Sequence, residues 1–185
     1  MTNTMISRGL LALGFFSFGC SGDDGTSVTI TPASGACAVL NAGEFCEIEI
    51  MGDVEITATE PIMVGHYLKS VIEGAGGSGD PALAISVPIE QYRNSYVFLV
   101  PMQYDMQYIS VVTPAGGTVR LDNTDVTGML APFGDGNFIA GRIPVQAGQH
   151  ELLCGDSCGL EVYGYSDAVS YLFAGGLDLE QIVID

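Results

Sequence analysis

Short runs rich in Val, Ile, Tyr, Phe and Thr recur along most of the chain, with Gly and Pro between them. Runs of this composition, at a spacing of roughly 8–12 residues, are typical of all-β folds. No segment sustains a helical period with capping residues. The sequence therefore predicts an all-β chain. The predicted strands are Ser27–Thr31, Cys46–Ile50, Val54–Thr59, Ile62–Lys69, Ala82–Val87, Tyr96–Val100, Tyr108–Thr113, Thr118–Leu121, Phe138–Val145, Glu151–Cys154, Leu160–Tyr165 and Val169–Phe173.

Two of these runs alternate between carboxylates and apolar residues, Cys46–Ile50 and Val54–Ala58. Such alternation indicates strands with one buried face and one solvent-exposed face. Gly52-Asp53 between them predicts a two-residue hairpin turn, and Gly134–Asn137 predicts another tight reversal. Twelve short strands bury their apolar faces in two packed sheets or in a closed barrel. We expect a single domain folded as an antiparallel β-sandwich.

The N-terminal residues have the pattern of an export signal. Arg8 precedes an apolar run over Leu10–Phe18, and Gly19 and Cys20 follow. The run is too short to span a hydrocarbon layer of ~30 Å. We expect residues 1–19 to be a signal peptide, residues 20–26 a flexible tether, and residues 27–185 the folded domain.

Cys20 is the candidate lipidation site, because a small residue precedes it and polar residues follow it. The alternative is ordinary cleavage nearby, with no role for Cys20. Lipidation predicts a bacterial envelope protein that touches the membrane only through its anchor. Ser21, rather than Asp, after the cysteine favours the outer membrane or cell surface; the alternative location is secretion.

Removing Cys20 from the five cysteines leaves four, an even number that suits an oxidising compartment. Four cysteines allow three pairings. Proximity favours the disulfides Cys37–Cys46 and Cys154–Cys158, and the sequence leaves the other pairings open. A metal or redox site at Cys154–Cys158 is the rival interpretation, which the absence of C-x-x-C spacing disfavours.

The chain carries a net charge of −17, with 22 acidic and 5 basic residues. Nucleic acid and anionic membranes are therefore poor partners. Calcium binding by loop oxygens is an alternative to ordinary turn chemistry, but no stretch matches the calcium-binding loop, so we expect turns and no metal. The residues considered for calcium are Asp122, Asn123 and Asp125 in one stretch and Asp135 and Asn137 in another.

Motifs for nucleotide binding and hydrolysis are incomplete. Gly74–Gly79 satisfies G-x-G-x-x-G, but Asp80-Pro81 leads into a predicted strand rather than a helix, so no cofactor is expected. Ser78 lacks the glycine that a nucleophile elbow needs two residues later. His66 and His150 lie in or near predicted strands and are expected to be structural. Glu47 and Glu49 fit an exposed strand face better than a glycosidase pair. We therefore expect no enzymatic activity.

Tyrosines crowd two regions of the sequence, and tyrosine suits both core corners and binding surfaces. Core packing is the more common role. We nevertheless take Tyr104, Tyr108, Ser78 and Asp80 as candidate binding residues, since they lie in predicted loops or beside them. The two groups are Tyr92, Tyr96, Tyr104 and Tyr108, and Tyr163, Tyr165 and Tyr171.

Several tracts, in order and spacing, resemble the amino-terminal domain of IgGFc-binding protein and its bacterial secreted relatives. The resemblance covers Cys37–Glu180 and corresponds to the later part of that domain. It implies an extracellular β-rich module of surface or mucin-like proteins, and it carries over no catalytic residue. The tracts are PIMVGHYL (Pro61–Leu68), GDPAL (Gly79–Leu83), VPIEQYRNSYVFLVP (Val87–Pro101), YISVVTPAG (Tyr108–Gly116) and VYGYSDAVSY (Val162–Tyr171).

Together these features predict a non-enzymatic binding or adhesion module that recognises an extracellular protein or glycan. A structural scaffold of the envelope or extracellular matrix is the first alternative, and a hydrolase with an unrecognised site is the second. An exposed aromatic patch would favour a binding module, whereas a concave pocket with convergent polar groups would favour an enzyme.

Replacing Cys20 by Ala tests the predicted anchor. The lipid chain attaches through the cysteine, so C20A should abolish fatty-acid labelling and move the protein from the detergent phase to the aqueous phase. Unchanged labelling of the variant would show that Cys20 carries no lipid.

Overall fold

Sixteen strands, each antiparallel to its neighbours, make up most of the described chain. The computed structural model describes residues 3–8, 14–20, 24–32, 37, 39–50, 52–68 and 79–179. Two single-turn 3₁₀ helices, Ile89–Gln91 and Thr127–Met129, interrupt the strands of this part. The strands are β1 (Asn3–Arg8), β2 (Gly14–Cys20), β3 (Thr26–Thr31), β4 (Val39–Leu40), β5 (Phe45–Ile50), β6 (Asp53–Ala58), β7 (Ile62–Leu68), β8 (Ala82–Ile85), β9 (Arg93–Val100), β10 (Met106–Pro114), β11 (Val119–Leu121), β12 (Thr124–Asp125), β13 (Ala131–Phe133), β14 (Phe138–Pro144), β15 (Gly148–Ser166) and β16 (Val169–Ala174).

The predicted all-β class is confirmed, and side-chain alternation explains the packing of β5 and β6. In β5 the apolar residues Ile48 and Ile50 are buried while Glu47 and Glu49 are exposed. Successive side chains of a strand point to opposite faces, so each strand contributes one apolar face to a core. In β6, Val54, Ile56 and Ala58 are buried in the same way.

Three sheets form the fold. Two have four strands, in the orders β1-β6-β3-β4 and β5-β2-β7-β8, and their apolar faces pack together as a sandwich. The third has eight strands and curls around β15. Leu68 of β7 and Ala84 of β8 pack against Tyr163 and Leu172 of the eight-stranded sheet, which joins the two parts into one domain.

The hairpin predicted at Gly52-Asp53 is wrong. Strand β5 pairs with β2, whereas β6 pairs with β1 and β3, so the chain passes from one sheet to the other between them. Burial explains the difference, because Ile50 and Val54 both enter the core between these two sheets. Alternation identifies an apolar face but does not say which sheet the strand joins.

The tight reversal predicted at Gly134–Asn137 is confirmed. It joins β13 to β14, with Phe133 opposite Phe138. Gly134 and Gly136 take φ values of 56° and 80°, which glycine adopts without steric cost. The turn lies against β6, where burial and the nearby Asp135 raise the pKa of Glu55.

Strand β15 is the longest element. Each of its two edges pairs with two strands, one after the other along its length. On one side it pairs with β10 and then, toward its beginning, with β11. On the other side it pairs with β16 and then with β9. The sequence predicts two separate strands here, Glu151–Cys154 and Leu160–Tyr165. That prediction is wrong, because the backbone stays extended through Gly155–Ser157.

A disulfide closes the irregular centre of β15. Cys154 and Cys158 are bonded with their Cα atoms 6.2 Å apart, and the register against β9 shifts between Leu153 and Cys158. Such a bulge bends a strand and increases its twist. The Tyr96 hydroxyl donates to the Cys158 carbonyl and holds β9 against the bend. Polar Gly-Asp-Ser between cysteines therefore marks a bulge, not the end of a strand.

The second predicted disulfide is also present. Cys37 and Cys46 are bonded, with a Cα separation of 5.9 Å, at the edge of the core between the four-stranded sheets. Both disulfides thus join cysteines that are close in sequence.

The predicted leader overlaps two strands of the full chain. Strand β1 pairs with β6, and β2 lies between β5 and β7 with Cys20 opposite Ile62. Cleavage before Cys20 would remove β1 and nearly all of β2, leaving β5 and β7 to rearrange. In the predicted tether, the Gly25 amide donates to Asn41 Oδ1 at 3.2 Å. Removal of residues 1–19 stays a prediction.

Asp122 and Asn123 form the two-residue turn between β11 and β12. Their φ values of 48° and 65° are those of a primed hairpin turn. Asp122 also accepts hydrogen bonds from the Glu151 amide at 2.9 Å and from His150 Nδ1 at 2.6 Å. Burial alone would raise the pKa of Asp122, but these bonds together lower it. The turn and its hydrogen bonds therefore explain why Asp122 and Asn123 occupy these positions.

Peptide mapping without reduction tests the disulfide assignment. The structure predicts bridged peptides Cys37–Cys46 and Cys154–Cys158, and replacing the second pair by Ser should lower the free energy of unfolding by about 2 kcal/mol, the entropy of a short closed loop. Free thiols, or a bridge between the two halves of the chain, would contradict the structure.

Candidate functional site

Three chain segments that are far apart in sequence meet at the end of the hairpin formed by β15 and β16. We call this surface the loop cluster and define it as Gly79–Asp80, Met102–Asp105 and Asp167–Ala168. Ser166 and Ser170, which flank the hairpin turn, hold the first two segments in place. Loops fixed on a rigid sheet in this way are where binding residues commonly lie.

Gly79 and Asp80 are fixed by three hydrogen bonds with the hairpin. The Gly79 amide donates to the Ser166 carbonyl at 2.9 Å, and the Asp80 amide donates to Ser170 Oγ at 2.9 Å. The Ser170 hydroxyl donates to the Asp80 carbonyl. Gly79 has a φ of +103°, and a Cβ at this position would lie 2.7 Å from Tyr165 Cδ1. Only glycine fits here, because any side chain would overlap the Tyr165 ring.

Asp105 fixes the second segment. Its amide donates to the Tyr165 carbonyl at 3.1 Å and to Ser166 Oγ at 2.9 Å. The Ser166 hydroxyl in turn donates to Asp105 Oδ2 at 2.7 Å. Backbone and side chain of Asp105 therefore hold the loop before β10 against the β15–β16 turn.

The two candidate tyrosines lie on different faces of the sheet. Tyr104 packs edge-on against Tyr171, with ring centroids 4.6 Å apart, and Tyr171 donates to Gln107 Oε1 at 2.9 Å. Burial raises the pKa of Tyr171 to about 12. Tyr108 instead stacks on Tyr163 at 5.5 Å, on the face that packs against β7 and β8. Tyr104 therefore belongs to the loop cluster, whereas Tyr108 supports the core behind it.

The exposed surface of the loop cluster contains both acidic and apolar side chains. Met102 is 81% exposed, and Met106 and Val169, which follow two of the three segments in sequence, are 41% and 45% exposed. Asp80, Asp105 and Asp167 add three exposed carboxylates, and no Lys or Arg lies in the three segments. A surface that exposes both apolar side chains and carboxylates is typical of an interaction surface for a neutral or cationic partner.

A second polar group lies away from the loop cluster, around Glu161. His66 is 1% exposed, and its Nδ1 lies 3.2 Å from Glu161 Oε2. Ser110 faces Glu161 across the β10–β15 ladder and is buried. Burial, with the nearby Glu161 carboxylate, raises the pKa of Tyr92 beside them. The cavity that Ser110 and Glu161 line is about 20 Å³, room for about one water molecule.

Among the residues that the structure describes, no group of three or more His, Cys, Asp or Glu side chains is arranged to hold a metal ion.

None of the helices in the described ranges is long and apolar enough to cross a membrane.

The structure thus brings together only part of the sequence-predicted site. Asp80 and Tyr104 lie in the loop cluster, Tyr108 lies on the opposite face, and Ser78 lies outside the described residues. Sequence reasoning missed the hydrogen bond between Asp105 and Ser166, because these two residues are 61 positions apart in the sequence. The dipeptide Ser166-Asp167 between two predicted strands was the available signal, since Ser and Asp favour turns.

Replacing Gly79 by Ala tests how the loop cluster is held. The added Cβ overlaps Tyr165 and the φ is unfavourable, so G79A should destabilise the protein by about 2 kcal/mol in thermal unfolding. Gly116 is the matched control: its φ is +89°, but a Cβ there meets nothing within 4 Å. Equal destabilisation by G79A and G116A would show that the Tyr165 contact adds nothing.

The family model described as IgGFc binding protein matches residues 14–164. Two solved structures are similar at 8% identity: the Pleurotus ostreatus lectin with GalNAc, covering 95% of this chain and 76% of that chain with a TM-score of 0.31, and its apo form, covering 100% and 75% with a TM-score of 0.28.

No curated protein matches the chain. The family match begins at Gly14, inside the predicted leader, and continues through the tyrosine-rich part of β15. Because it spans most of the sequence, the chain belongs to the IgGFc-binding protein family.

Proposed function

We propose that this protein is a non-enzymatic binding module of the bacterial envelope, held at the outer membrane or cell surface by a lipid on Cys20. Its family and its two disulfides support an extracellular location, since disulfides persist in oxidising compartments. The leader pattern ending at Gly19-Cys20 supports the anchor.

The observation that carries this proposal is the convergence of three exposed segments on one hairpin. Two of the segments are fixed by hydrogen bonds to Ser166, Ser170 or the Tyr165 carbonyl, and the third is the turn of the hairpin itself. A surface ordered before binding loses less conformational entropy when the partner arrives. The loop cluster is therefore suited to recognition by a preformed surface.

The partner class follows from charge and exposure. The chain carries −17 overall, and the loop cluster presents carboxylates around Met102. An extracellular protein with a basic, partly apolar surface complements both features. The electrostatic part of the affinity should weaken with salt, because exposed charges are screened beyond about 8 Å at physiological ionic strength. A neutral glycan would show little salt dependence.

The chemistry of the buried polar group favours binding over catalysis. His66 and Ser110 are buried, and the cavity beside Glu161 admits a single water molecule. A hydrolase needs its nucleophile and base within reach of a substrate. These groups therefore support a structural role for His66 and Glu161 between β7 and β15.

Capture experiments with paired variants test the proposal. Immobilised protein is exposed to extracellular and envelope material, and each captured partner is titrated against the wild type and M102K. Met102 belongs to the loop cluster and is 81% exposed, so M102K should weaken binding at least about tenfold by adding a charge to an apolar contact. M129K is the matched control, since Met129 is 49% exposed beside β14, outside the loop cluster.

Equal affinities of wild type and M102K, with the fold intact, would place the binding surface elsewhere. Turnover of a substrate that is lost on a single change at His66 or an Asp would contradict the non-enzymatic proposal.

A further inference from the structure

The chain contains one Asp-Pro peptide bond, Asp80-Pro81, and this bond lies at the loop cluster. Its chemistry differs from that of other aspartyl bonds. The proline nitrogen carries no hydrogen, so it cannot lose a proton and attack the aspartyl side chain to form a succinimide. The intramolecular route that remains is attack by the Asp80 carboxyl on its own carbonyl carbon, which closes a cyclic anhydride.

A hydroxyl group is aimed at the carbonyl of this bond. The Asp80 amide donates to Ser170 Oγ at 2.9 Å, and the Ser170 hydroxyl donates to the Asp80 carbonyl oxygen. The two hydrogen bonds are compatible, because Oγ accepts with a lone pair and keeps its hydrogen for the carbonyl. A donor at this position stabilises the negative charge that the oxygen gains when its carbon is attacked.

The two flanks of the bond are held by different parts of the fold. On one side, the Gly79 amide is bonded to the β15–β16 hairpin. On the other side, Ala82 lies opposite Leu68 in the ladder between β7 and β8. Asp80 and Pro81 are exposed between them, so water reaches the bond. Fixing both flanks keeps the carbonyl beside its hydroxyl donor, and such positioning accelerates a reaction within one chain.

We propose that the protein cleaves itself at Asp80-Pro81. An oxygen of the Asp80 carboxyl group bonds to the Asp80 carbonyl carbon, and the bond from this carbon to the Pro81 nitrogen breaks. The carboxyl proton passes through water to that nitrogen, which leaves as a secondary amine. A water molecule then opens the cyclic anhydride, restoring the side-chain carboxyl and giving a new C-terminal carboxyl. The net reaction is hydrolysis of the peptide bond, with water as the co-reactant.

The fold holds the two pieces together after the cut. Neither disulfide joins them, since Cys37–Cys46 precedes the cut and Cys154–Cys158 follows it. The ladder between β7 and β8 spans the cut, as does the contact of His66 Nδ1 with Glu161 Oε2 at 3.2 Å. The product is therefore a two-chain protein. Self-cleavage occurs once in each molecule and turns over no substrate, so it goes beyond the proposed binding function and does not depend on it.

Incubation of the purified full chain at neutral pH tests the proposal. Pieces that end at Asp80 and begin at Pro81 should separate on a denaturing gel without reductant and elute together in native size-exclusion chromatography. Their masses should add up to the intact mass plus one water molecule. Protease inhibitors should leave the rate unchanged, because the reaction is internal to the chain.

Two variants and one control separate the roles of the residues. D80N replaces the attacking carboxyl by an amide and should abolish the cut. S170A removes the donor from the carbonyl and should slow the cut at least about tenfold. S95A is the control, since Ser95 is an exposed serine of β9 near the other end of β15, and it should cleave at the wild-type rate.

The unfolded chain separates the effect of the fold from the chemistry of the bond alone. In urea the contact with Ser170 is lost, so the cut should be at least about tenfold slower than in the folded protein. Equal rates in the folded and unfolded chains would overturn the proposal. So would an intact bond in the folded wild type, or equal rates for the wild type and S170A.

Discussion

Strand β15 is the element on which the rest of the eight-stranded sheet depends. It pairs with β10 and β11 on one side and with β16 and β9 on the other, and one continuous strand makes all four ladders. A straight strand of 19 residues would carry these ladders in a nearly flat sheet. The bulge closed by Cys154–Cys158 bends it, so that Val119, Leu152 and Val162 share one core.

The two ends of β15 differ in what they contribute to the surface of the protein. At the β16 end, the turn after Ser166 provides the hydrogen bonds that order Gly79–Asp80 and Asp105, and so creates the loop cluster. At the β9 end, β9 forms a ladder with no described strand other than β15. Ala168, with a φ of 52°, shows that the hairpin turn tolerates some backbone strain at the loop cluster. Ordered loops with local strain are common at binding surfaces.

Local pattern in the sequence predicted most strands and both disulfides, because alternation and short cysteine spacing are local properties. Two errors share a physical cause. The Gly52-Asp53 hairpin and the break in β15 both depended on which distant strand is the neighbour, and composition does not encode this. The same limit applies to Tyr104 and Tyr108, which are close in sequence but lie on different faces of the sheet. The bonds between Asp105 and Ser166 join residues 61 apart, so no spacing rule could find them.

A double-mutant cycle on Asp105 and Ser166 tests most directly whether the β15–β16 hairpin holds the loop cluster together. The free energy of unfolding is measured for wild type, D105A, S166A and the double variant. The hydrogen bond from the Ser166 hydroxyl to Asp105 Oδ2, which needs both side chains, predicts a coupling energy of about 1 kcal/mol. Strictly additive effects would contradict this account, because the two segments would then be adjacent without stabilising each other.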